Sequence, residues 1–111
     1  SAPASVVYKR QGLLFAGQID LLCLDATGAY VVVDLKRCKQ MRYDTCQPMK
    51  APLCHLPSCN WYLYCLQLNL YAYILTNEYG LTINRMLLGM VHHRHFQAIF
   101  FFARSIRPVQ P

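Results

Sequence analysis

Five acids are spread over the 111 residues, Asp20, Asp25, Asp34, Asp44 and Glu78. Two of them, Asp20 and Asp34, fall in the middle of segments otherwise built from Leu, Ile and Val. A carboxylate in such surroundings must be paired, hydrogen-bonded or bound to a metal, or it takes up a proton. The turn between the two fixes their relation. Asp25-Ala26-Thr27-Gly28 is turn chemistry, and a three-residue loop with Gly28 in the left-handed position pairs Asp25 with Ala29. In that register Asp20 lies directly opposite Asp34. Opposed side chains on one face have Cβ atoms about 5 Å apart, so two like charges there repel unless a cation neutralises them. Alternation also puts Lys36 on the face of Asp34. Two carboxylates and an ammonium in one patch suit a hard divalent cation, which takes oxygen ligands together with water and phosphate. The plainer reading of the same spacing is a structural Asp34–Lys36 ion pair, with Asp20 ending its strand.

Three further groups carry possible chemistry. Arg37, Lys39, Arg42 and Lys50 follow Lys36 closely, four of the eleven cations, and such a cluster can grip phosphates or stand as a solvated basic loop. Cys46, Cys54, His55 and Cys59 form a legitimate zinc ligand set by residue type, but they lack a Cys-x-x-Cys knuckle, so reduced and partly buried thiols are expected instead. His92, His93 and His95 sit at a strand end, where neighbours point to opposite faces, and are read as turn residues. Trp61 and Phe100 to Phe102 are read as packing residues.

The elements that must position these groups are legible in outline. Residues 6 to 10, 13 to 24 and 29 to 36 are rich in apolar and β-branched types without helical spacing, and are expected as strands, the last two forming a hairpin. Residues 37 to 59 carry prolines at 48, 52 and 57 and read as a long loop. Asn60 is placed to cap a helix that runs to about Tyr79 and stops at Gly80. On it Asn60, Tyr64, Gln67, Tyr71, Ile74 and Glu78 recur at three- and four-residue steps, while Leu63, Leu66, Leu70 and Tyr73 fill an adjacent face. The polar and aromatic stripe either faces a ligand or is the wet side of an amphipathic helix. Residues 81 to 92 and 98 to 105 complete the pattern as two strands.

With 55% hydrophobic and 14% charged residues the chain describes one folded domain and not a disordered one. No run approaches the roughly 18 apolar residues of a membrane span, so no membrane partner is expected. No signal peptide is visible, which argues for an intracellular, nuclear or cytoplasmic, protein and against a secreted one. The chain opens Ser-Ala-Pro-Ala-Ser and reads as a single domain, 1–111, excised from something longer. The net charge of +6 favours a polyanionic partner, nucleic acid first and an anionic membrane surface second.

Gly17-Gln18-Ile19-Asp20, then Asp34-Leu35-Lys36, then Gln67-Leu68-Asn69-Leu70-Tyr71 on a helix, resembles the PD-(D/E)xK nuclease superfamily. The order Gly-x-x-Asp, Asp-x-Lys, Gln-x-x-x-Tyr is most similar to its RecB-like, lambda-exonuclease-like branch, whose members serve recombination, repair, viruses or mobile elements. The resemblance implies an α/β, restriction-endonuclease-like core: a central mixed sheet, a β-hairpin carrying the acids and a flanking helix. It implies a nuclease that hydrolyses phosphodiester bonds, DNA in preference to RNA, with water activated on Mg²⁺ or Mn²⁺. Asp20, Asp34 and the backbone carbonyl of Leu35 would ligate the metal, Lys36 would orient or activate the water, and Gln67 would line the site. Arg37, Lys39, Arg42, Lys50 and Tyr71 would meet nucleic acid. The family's usual N-terminal helix, which often carries a further acid or histidine, has no counterpart here. A catalytically inactive nucleic-acid-binding or assembly module of the same fold is therefore the competing expectation.

Overall fold

The chain is seen in a computed structural model that describes residues 4–10, 13–44, 46–92, 98–102 and 106. Strands β1 (Ala4–Arg10) and β2 (Leu13–Ile19) form an antiparallel ribbon. Strands β3 (Leu21–Leu24), β4 (Tyr30–Arg37), β5 (Ile83–Val91) and β6 (Ala98–Phe102) make a mixed sheet in that order. β4 pairs antiparallel with β3 and parallel with β5, and β5 pairs antiparallel with β6. A parallel neighbour requires a crossover, and the long loop followed by helix α1 (Asn60–Tyr79) supplies it. The chain is thus a small α/β unit. The side chains of Phe100 to Phe102, together with His93, His95 and residues 103–105, lie outside the described residues.

The valines of β4 explain its central place. Val32 and Val33 are buried, as expected of a strand flanked on both edges and covered by a helix. The core that α1 closes over them comprises Ile19, Val32, Met41, Leu68, Tyr71, Ile74, Leu75 and Leu88. At the helix C-terminus Gly80 takes φ 68°, and the N–H groups of Gly80 and Leu81 both donate to the Leu75 carbonyl. This is the left-handed ending the glycine implied.

Three expectations are corrected. Residues 13 to 24 are not one strand: the chain bends at Asp20, so that β2 serves the ribbon and β3 the main sheet. Asn60 does not cap α1, because the cap position falls on Cys59 and the Asn60 side chain turns to the preceding loop, accepting from the Arg42 N–H at 2.7 Å and donating to the Gln40 carbonyl at 2.9 Å. The thiols are not all free either. Cys46 and Cys59 form a disulfide with Cα atoms 5.5 Å apart, while Cys23, Cys38, Cys54 and Cys65 are unbridged.

Candidate metal centre

The hairpin turn places the acids. Gly28 adopts φ 85°, the Asp25 N–H donates to the Ala29 carbonyl at 2.8 Å, and the register runs Leu24 to Tyr30 through Leu21 to Val33. Asp25 secures the turn with its own carboxylate, accepting from the N–H groups of Thr27 and Ala29, the Thr27 hydroxyl and the Asn84 amide. The Thr27 hydroxyl, then the Asn84 amide, hold its pKa down at about 2. One step past Leu21 and Val33 stand Asp20 and Asp34, as the sequence register expects.

The bend at Asp20 gives that residue a second duty. Because Asp25 bonds across to Ala29, alternation along β4 directs the odd-numbered N–H groups, Leu35 included, towards β3. The strand that would have met Leu35 has already turned away into the ribbon. The Asp20 carboxylate takes its place, Oδ2 accepting from the Leu35 N–H at 2.8 Å. A carboxylate is therefore fixed at the sheet edge beside the peptide of Leu35, next to Asp34.

Asp34 is the buried acid of the pair, only 3% exposed. Lys36 Nζ lies 3.1 Å from its Oδ2, an ion-pair distance. Among the described residues no donor other than this ammonium reaches that buried oxygen. Burial pushes the Asp34 pKa up, Lys36 opposes the shift, and the neighbouring Asp20 carboxyl adds to it. Two carboxyl groups side by side, one of them buried, are an arrangement that a divalent cation satisfies, so the donor set fits a hard metal. The third ligand implied by the resemblance, the Leu35 carbonyl, belongs to the same peptide segment. Among the described residues no cluster of three or more His, Cys, Asp or Glu side chains occurs.

The helix meets the site with the stripe that contains Tyr64, Gln67 and Tyr71. Lys36 Nζ sits 5.1 Å from the centroid of the Tyr64 ring, a cation–π contact that steadies the ammonium between a ring and a carboxylate. Gln67 Nε2 donates to the Tyr71 hydroxyl at 3.0 Å rather than to the acid pair. Tyr71 is buried, so it packs and does not stack on a ligand, a correction to its expected place among the nucleic-acid contacts. Its ring lies under Gly17: a Cβ there would stand 2.7 Å from Tyr71 Cε1 and 2.9 Å from its hydroxyl oxygen. The glycine and the tyrosine of the two outer motifs are thus in direct contact, a relation their separation in sequence conceals. The wet-side alternative for this stripe fails over most of its length. Leu63, Leu70 and Tyr73, expected to fill an apolar face, are the exposed residues instead.

Arg37, Lys39, Arg42 and Lys50 are all exposed. Of the four zinc candidates, Cys46 and Cys59 are joined to each other and Cys54 and His55 are exposed, so the four do not share a centre.

No family model and no curated protein matches the chain. Among solved structures it is similar to the crystal structure of SSO0001, with a TM-score of 0.49 and 14% sequence identity. That likeness covers 98% of this chain and 42% of the other, so the chain spans about two-fifths of that protein's length.

Proposed function

We propose that this chain is a metal-dependent nuclease domain of the PD-(D/E)xK type, hydrolysing phosphodiester bonds with Mg²⁺ or Mn²⁺ and acting on DNA in preference to RNA. One observation carries the reading: Asp20 and the buried Asp34 stand together where β3 begins, with the Lys36 ammonium 3.1 Å from Asp34 Oδ2. The α/β arrangement, with the acids on a hairpin and a helix behind, accords with a restriction-endonuclease-like core.

Asp20 and Asp34 would hold the cation, with the Leu35 carbonyl as a further oxygen. A bound divalent ion supplies neutralisation of charge developing on the phosphate and lowers the pKa of water. The protein's own part is positional. Lys36, held between the Asp34 carboxylate and the Tyr64 ring, presents an ammonium that orients an attacking water and stabilises the pentacoordinate transition state. Gln67 acts through Tyr71, keeping the helix seated on Gly17 and so keeping Tyr64 under Lys36.

Incubation with single- and double-stranded DNA and RNA plus Mg²⁺ or Mn²⁺ tests this directly. Cleavage is expected from the native chain and is lost, by about a hundredfold or more, in Asp34→Ala and Lys36→Ala. A second readout is thermal: Mn²⁺ should raise the melting temperature of the native chain and not of Asp34→Ala. Cleavage surviving in both variants would overturn the site. The binding-module alternative keeps the fold and the exposed cations Arg37, Lys39, Arg42 and Lys50 and lacks the chemistry. Salt-sensitive binding without cleavage by the native chain is its signature.

A further inference from the structure

Apart from the acid pair, the described surface carries a second preorganised feature where the basic loop meets the start of α1. Residues 40 to 42 are clamped there by the two Asn60 bonds already described and by a third, in which the Trp61 N–H donates to the Arg42 carbonyl at 3.3 Å. Such anchoring leaves the next residue little freedom. Tyr43 follows, with its ring 5.2 Å from that of Trp61 and tilted by 46°. Trp61 also packs against the hydrophobic core, whereas Tyr43 is 45% exposed. The outer ring is therefore backed by one that is itself supported.

Beside this pair lies a concavity of about 350 Å³ lined by Gln40, Met41, Arg42, Tyr43 and Asp44. Its size falls at the lower end of ligand-holding pockets, which run from about 300 to 1,000 Å³. The lining combines a flat aromatic ring, a guanidinium, an amide and a single carboxylate. Arg37 and Lys39, also exposed, lie on the stretch of chain that joins this concavity to Lys36.

Those groups select a particular ligand. Phosphates are drawn by Arg37, Lys39 and Arg42, and the exposed tyrosine offers a face on which a planar base can stack. A base inside a duplex has both faces covered by its neighbours and only the end pairs show one, so along a strand it is unpaired bases that can use that ring. We propose that Tyr43, backed by Trp61, is a stacking platform for an unpaired nucleobase, and that the chain therefore takes single-stranded nucleic acid ahead of blunt duplex. The inference deepens the nucleic-acid side of the function proposed above and does not depend on cleavage.

The test is equilibrium binding by fluorescence anisotropy in an Asp34→Asn background, so that cleavage cannot consume the probe. Three labelled probes of equal length are compared: a single strand, its blunt duplex, and a strand carrying abasic sites throughout. The single strand is expected to bind tightest. Tyr43→Ala should weaken it by about tenfold or more, the scale of one lost stacking contact, and leave the duplex and abasic strand within about twofold. Tyr43→Phe should keep the affinity, and emission from Trp61, the single tryptophan of the chain, should fall as the single strand is added. Equal loss on all three probes in Tyr43→Ala, no loss on any, or an abasic strand bound as tightly as the intact one would overturn the platform. A native chain that fails to cleave would remove the nuclease reading and leave these binding results standing.

Discussion

Asp34 is the buried acid among the described residues, and its burial has an energetic consequence. Its pKa in the folded chain lies above the ordinary 3.8, chiefly through burial, with Asp20 adding to the shift and Lys36 opposing it. Below pH 3.8 the acid is neutral in both folded and unfolded chains and costs nothing. As pH rises past that value the unfolded chain releases the proton first, so folding stability declines until the folded chain has released it too. Asn resembles the protonated acid in shape and carries no charge. In the presence of EDTA, Asp34→Asn should therefore melt higher than the native chain at pH 7, with the difference closing at acidic pH. A lower melting temperature for Asp34→Asn at pH 7 would mean that the ion pair with Lys36 outweighs the cost of burial. Gly17 offers a second test at this scale. A Cβ at 2.7 Å from Tyr71 forces the ring or the strand to move, so Gly17→Ala should destabilise by about 1–3 kcal/mol. In the Tyr71→Ala background the same change should cost much less, and a double-mutant cycle by urea denaturation reads the coupling. Additive costs would show that the two residues are not in contact in solution.

At the scale of elements, some features were legible in the residues and others were not, for definable reasons. The hairpin register was legible because a short loop ending in glycine admits few geometries, and Asp25 to Ala29 then determines every later pairing. The helix end was legible from Gly80, and its start within a residue, although the side chain expected to cap it, Asn60, bonds to the loop instead. The face that α1 turns inward was not, because leucines and tyrosines occur on both sides of it and hydrophobicity alone does not choose. Contact chooses: Gly17 leaves room for the Tyr71 ring, and Tyr64 meets Lys36, so the mixed polar and aromatic stripe goes in. The break between β2 and β3 was hidden for a similar reason, since an unbroken apolar run carries no mark of where it changes sheets. The Cys46–Cys59 bond was hidden because spacing does not determine pairing. The helix orientation has a direct consequence for stability. Leu68 is fully buried and Leu70 is 41% exposed. Leu68→Ala should cost about 2–5 kcal/mol, and Leu70→Ala about 1 kcal/mol or less. Chemical denaturation of the two variants measures this, and equal costs would mean that α1 is rotated from the orientation described.

On the scale of the whole molecule, the opposition that matters is between a net charge of +6 and an acid pair at the sheet edge. Arg37 ends β4 and Lys39, Arg42 and Lys50 follow on the loop that leaves it, all four exposed, so the strand that carries Lys36 leads directly into cations. If nucleic acid is the partner, those cations draw in the phosphate backbone and release its counterions, while the acids repel it until a divalent ion is bound. Affinity should then depend on salt in a way that counts contacts. Four phosphate contacts give a slope of about −3 in log K against log salt for a single strand and nearer −4 for duplex. Lys39→Ala should lower the magnitude of that slope by about one, weaken all sequences alike, and leave melting temperature and metal response as they were. Asp34→Asn should leave the slope near its native value, since its side chain is buried, yet remove any gain in affinity on adding Mn²⁺. Titrations across a salt series with the native chain and these two variants separate the basic loop, which would gather the polyanion, from the acid pair, which would act on it. A slope unchanged by Lys39→Ala would place the contacts elsewhere on the molecule and detach the loop from the site.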